Sequence, residues 1–174
     1  YFGLPIIMEQ TAYDAQRTLR VLAPLAGLLL LVILFWGFRS LQGVILPIFI
    51  ALLASLWTLG LSAVIGKSLT IVSATLPVIL LAMVTAYGIH FINRYYEERS
   101  KIEGNDVTKI TLQEIFVPIS LSALTTIGGF ISLLTADIKP ITEFGLYSTL
   151  GIFFGFLLAT FFLGAFFTIF APRR

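Results

Sequence analysis

Five stretches of this chain are long, apolar and almost free of charge, and that pattern limits its fold more than anything else in the sequence. A helix needs about 20 mostly apolar residues to cross a hydrocarbon layer about 30 Å thick. Residues 21–38, 44–64, 69–93, 116–136 and 142–170 fit that requirement. The first three hold no Asp, Glu, Lys or Arg, and the last two hold only Glu143, at the start of the fifth. Inside lipid no water is present to satisfy backbone N–H and C=O groups, so each segment must bond within itself as a helix. The pattern predicts an all-α fold: a polytopic bundle of about five transmembrane helices. Only 11% of the residues are charged, whereas a soluble domain carries about a quarter.

The remaining charges give an orientation. Arg39, Arg94, Arg99, Lys101, Lys109, Arg173 and Arg174 fall on one side of the predicted bundle. Arg17, Arg20, Lys67 and Lys139 fall on the other. Lys and Arg concentrate in cytoplasmic loops, so the first set predicts the cytoplasmic face, with the N-terminus external and the C-terminus cytoplasmic. Gly66-Lys67-Ser68 and Asp137-Ile138-Lys139-Pro140 read as tight external turns. The longest loop, 94–115, reads as an extension of the third helix, a turn at Gly104-Asn105 and an amphipathic lead-in helix. Thr108 or Thr111 is the expected N-cap there, with Glu114 at capping-box spacing from Thr111. Residues 1–20 read as an exit segment from something that precedes the membrane part, and Tyr1 suggests a fragment or processed piece. Residues 21–174 then form the bundle.

Several function classes fall away. A net charge of +2 with no basic run gives nucleic acid nothing to bind, and the absence of cysteine removes disulfides and thiolate sites. There is no phosphate-binding loop, no metal-ligand cluster and no Ser-His-Asp set, so neither an enzyme nor a cofactor is expected. Polar groups inside lipid are costly and therefore informative. The third stretch carries Ser73, Thr75, Thr85, Tyr87, His90 and Asn93. His90 is the chain's only histidine, and an imidazole is suited to carrying a proton near neutral pH. On the fourth stretch Ser122, Thr125 and Thr126 stand at i, i+3 and i+4. Such hydroxyls serve either as packing contacts between helices or as the lining of a polar path near His90. Gly151 and Gly155 have the GxxxG spacing of a helix-packing surface.

Phe38-Arg39-Ser40 with Gly43-Val44-Ile45-Leu46-Pro47 resembles the turn between the second and third helices of resistance-nodulation-division (RND) transporters. The branch is the one that includes MMPL-type lipid exporters, Patched and the sterol-sensing proteins. The run from Tyr87 to Glu98 is similar to the cytosolic end of that family's fourth helix. Ser122 to Phe130 resembles the start of its fifth, and Phe144-Gly145-Leu146 with Gly151 its sixth. Gly3-Leu4-Pro5 through Ala26 is similar to the exit from the family's large external domain. The resemblance covers nearly the whole chain and implies helices two to six of one transporter half.

The resemblance implies a membrane domain that moves hydrophobic or lipid-like substrate in the inner or cytoplasmic membrane. Its partners would be membrane lipids, the substrate, and an external porter domain with a second half, or further copies of this chain. The proton-driven members carry an Asp just before the Tyr of the helix-four motif. Here that position is Ala86, which binds no proton. His90 lies four residues on, about 5.4 Å along the same face, and is the expected substitute. Thr125 and Thr126 are expected to face it, with Tyr87 and Asn93 as further polar contacts. The alternative is a sterol-sensing-like domain that binds lipid or acts as a scaffold without translocating anything.

Overall fold

The computed structural model describes residues 27–38, 40–65, 75–101 and 106–170, with four isolated positions (17, 21, 24 and 25) before them. The predicted exit segment therefore lies outside the described residues except for position 17. The same holds for the turns at Gly66-Lys67-Ser68 and Gly104-Asn105, and for residues 69–74 of the third stretch. Every regular element among the described residues is helical: α1 (Gly27–Phe38), α2 (Leu41–Val64), α3 (Leu76–Lys101), α4 (Asp106–Ser132) and α5 (Lys139–Ile169). The last four are each long and apolar enough to cross a membrane.

Local chemistry explains the helix limits. Ser40 sits in extended backbone before α2, and its Oγ accepts a hydrogen bond from the N–H of Gly43 at 3.2 Å. That satisfies one of the orphan donors at a helix start. The Gly43 position is itself demanded by α1, because a Cβ there would meet Phe38 Cβ at 2.6 Å. At the far end α4 closes through a single 3₁₀ turn, Leu133–Thr135. A short connection then leads into α5, whose second residue is Pro140. Proline suits a first turn because its missing N–H would have had no partner there. Within α5 a π-helical turn spans Leu158–Phe162.

One expectation for α4, its N-cap, needs correction. The lead-in helix and the fourth span are one continuous helix, and Pro118 interrupts neither. Thr108 and Thr111 lie inside it rather than capping it, and Thr111 Oγ1 donates to the carbonyl of Val107 at 2.8 Å. The helix instead has Asp106 in its first turn, where a carboxylate complements the positive helix end.

In lipid, apolar surface has no water to escape, so helices associate by close van der Waals contact. Small residues let this happen here. A Cβ on Gly88 of α3 would lie 3.0 Å from Pro47 Cα of α2. A Cβ on Gly151 of α5 would lie 2.5 Å from Leu80 of α3, and one on Gly155 would overlap Val84. The core closes with aromatic rings: Tyr95 and Phe167 lie 4.3 Å apart centroid to centroid, and Phe91 and Phe167 5.8 Å. α4 stands at the edge of this packing. Only 11% of its membrane window is buried, against 44% for α2, α3 and α5.

Candidate functional site

The marginal packing of α4 leaves a cleft between it and α3. The cleft forms a cavity of about 570 Å³. Ala86, Tyr87, His90 and Asn93 line it from α3, and Ile115, Pro118, Ile119 and Ser122 from α4. Arg94, Glu97 and Glu114 form its charged mouth. Helical periodicity makes the α3 wall, because residues three and four apart share a face. Ala86 and His90 thus open into one space. His90 and Asn93 are exposed, while Tyr87 is buried.

The Tyr87 phenol lies close to the side chains of Thr126 and Ser122, where α3 faces α4. Thr126 Oγ1 also donates to the Ser122 carbonyl at 2.8 Å. Thr125 does not share this arrangement. It lies on the exposed side of α4, and its hydroxyl donates to the carbonyls of Leu121 and Ser122, each at 3.0 Å. Adjacent residues on a helix are turned by about 100° from one another, so only one of the two threonines can face α3. The structure therefore brings Tyr87, Ser122 and Thr126 together, leaves His90 and Asn93 on the wall of the same cavity, and sets Thr125 apart. Gly151 and Gly155 are buried against α3, away from the cavity.

An ion network lies across the mouth. The Arg94 guanidinium donates to Glu97 at 2.7 Å, pairs with Glu98 at 2.9 Å, and crosses to α4 to bind Glu114. Lys101 pairs with Glu97 at 2.8 Å and Glu98 at 3.0 Å. Hydrogen bonds from Lys101 and then Arg94 hold the Glu97 carboxyl below its usual range. Glu97 lies past the apolar part of α3, in its charged last turns. Exposed pairs of this kind contribute little individually; of these pairs, Arg94–Glu114 is the one that joins α3 to α4. Sequence reasoning gave Glu114 a capping role and missed this link, because helix spacing carries no information on cross-helix partners. Among the described residues no group of three His, Cys, Asp or Glu is placed to hold a metal ion.

Long apolar helices packed around a polar cleft make this a multi-pass membrane protein, and comparison with known proteins gives its family. The chain belongs to the MMPL family, which it matches over residues 3–174. It is 28% identical over 149 residues to a membrane protein of Methanocaldococcus jannaschii, covering 85% of this chain and 38% of that protein. It is 33% identical over 91 residues to the hopanoid transporter HpnN of Rhodopseudomonas palustris, covering 51% of this chain and 10% of the transporter. The chain thus spans well under half the length of either relative. No solved structure matches it.

Proposed function

We propose that this chain is the membrane-embedded motor of an RND-type exporter of hydrophobic or lipid-like substrates, driven by protons that His90 carries. In this reading the Arg94 end of the bundle is cytoplasmic, as the distribution of Lys and Arg suggests. The observation that carries it is the shared cavity: His90 opens into the same space as Ala86, with Tyr87 on the same wall and Ser122 opposite. A proton taken up by the imidazole changes the charge in the cleft between α3 and α4. A charge change beside a helix contact can bias how the helices pack. Thr126 and Tyr87 then serve as the coupling contact, and Asn93 as a polar neighbour at the mouth. The lipid-like substrate class is suggested by the family and by the relative named for hopanoid transport.

The test is export by the full-length parent protein in cells. His90→Ala should abolish substrate export while membrane levels of the protein stay normal. Export at the wild-type rate in that variant would end the proposal. A second reading is favoured by one observation, the alanine where proton-driven members carry an acid: a lipid-binding or scaffold domain that translocates nothing. It predicts lipid binding by the parent with no export in either protein.

A further inference from the structure

On the other side of α4 from the His90 cleft, α4 and α5 leave a groove of about 550 Å³ between them. Leu112, Gln113 and Phe116 line it from α4, and Phe161, Gly164 and Thr168 from α5. The two helices meet beneath it at Gly164, where a Cβ would lie 3.0 Å from Leu112 Cδ1. Phe116 lies one turn deeper, with its ring 6.0 Å from that of Phe156. α4 and α5 run antiparallel, so the outer end of the groove falls at Thr168 and at the turn of α4 before Leu112. The inner end is the π-helical turn of α5, which supplies Thr160 and Phe161. Such turns are frequent at functional sites.

Two polar side chains stand along this groove. Gln113 and Lys109 are both exposed. Residues four apart share a helix face, so Lys109 stands one turn outside Gln113, at the outer end. Among the described residues neither has an ion-pair or hydrogen-bond partner. The other described basic side chains at this end of the bundle are engaged: Arg94 and Lys101 by glutamates, and Arg99 by the Tyr95 hydroxyl. Glu114, next to Gln113 in the chain, is turned to the opposite face and bound to Arg94. Asp106 lies in the first turn of α4, where it complements the positive helix end. Lys109 is thus a cation left open where an apolar groove reaches the membrane surface. Basic groups placed between helices at that level recognise anionic lipid headgroups. From Lys109 to Phe116 the groove follows α4 for about 10 Å at 1.5 Å per residue, which suits the upper part of an acyl chain.

We infer that the α4–α5 groove is a binding site for an anionic phospholipid. Its phosphate sits on the Lys109 ammonium, its ester region accepts from the Gln113 amide, and one acyl chain lies along Leu112, Phe116 and Phe161. A zwitterionic head carries its own cation and gains less from Lys109. The site is separate from the His90 cleft and needs no proton coupling.

The test is native mass spectrometry of the full-length parent, titrated with phosphatidylglycerol or with phosphatidylcholine of the same chain length. The wild type should retain phosphatidylglycerol in preference. Lys109→Gln should weaken that binding about fivefold, the contribution of one basic residue beside an anionic lipid surface, and leave phosphatidylcholine unchanged. Ala165→Trp, which fills the groove from an exposed position on its α5 wall, should lower the binding of both lipids. Lys101→Gln, outside the groove, should change neither. Equal binding of the two lipids by the wild type would overturn the inference. So would undiminished phosphatidylglycerol binding in Lys109→Gln or in Ala165→Trp. A loss in Lys101→Gln equal to that in Lys109→Gln would also overturn it, by making the preference a matter of net charge. An Ala165→Trp protein that changes its assembly state with lipid binding intact would show that another helix fills the groove, and would overturn it too. Lys109 is exposed and unpaired, so Lys109→Gln folds and decides the question even where Ala165→Trp does not.

Discussion

Thr125 and Thr126 are chain neighbours with the same chemistry and different surroundings. Thr126 lies on the side of α4 that faces Tyr87, whereas Thr125 is exposed; the hydroxyl of each donates to carbonyls of its own helix. Interhelical hydrogen bonds in membranes contribute about 0.6 kcal/mol on average and at most about 2. Thr126→Val should therefore lower the thermal stability of the purified protein by about 1 kcal/mol and slow export, with Thr125→Val close to wild type in both. Equal effects of the two substitutions would show that the helix faces are assigned wrongly. The sequence spacing put both threonines near His90. It could not choose between them, because the choice depends on how α4 is rotated against α3. The i, i+4 relation of Ala86 and His90, by contrast, needs nothing beyond one helix, and it was legible.

Among the elements, the joint between α4 and α5 is the tightest that involves backbone. A Cβ on Gly145 would lie 2.7 Å from the Phe130 carbonyl oxygen and 2.8 Å from Leu133 Cβ. No rotamer change relieves a clash with a backbone oxygen, so the two helices must shift apart. Overpacking of this sort costs about 1–3 kcal/mol. Gly145→Ala should lower the melting temperature measurably. Gly128→Ala, where nothing lies within 4 Å, should be neutral or slightly stabilising because alanine favours helix. A melting temperature for Gly145→Ala equal to that of Gly128→Ala would contradict so close a joint. The helices themselves were readable because lipid demands long uncharged runs. The start of α4 was not, because a threonine followed three residues later by glutamate has the form of a cap. Here that glutamate is bound to Arg94 of another helix, and the threonine is bonded to Val107.

At the scale of the whole molecule, α2, α3 and α5 make a close-packed unit, and α4 joins it through the Arg94–Glu114 pair, buried residues such as Ile115, Ile119 and Ala123, and the Gly145 joint. α4 thus has the smallest buried share of the four long helices while it keeps a close joint to α5 at Gly145. In the proposed motor, His90 on the cleft wall between α3 and α4 is the proton carrier. Ala86→Asp would add a carboxyl to the same cavity. The most direct measurement is substrate transport by the full-length parent in proteoliposomes under an imposed pH gradient, compared with His90→Ala and Ala86→Asp. The account predicts that the parent and Ala86→Asp respond to the gradient and that His90→Ala does not. A complete indifference of all three proteins to the gradient, or a full response without His90, would contradict it.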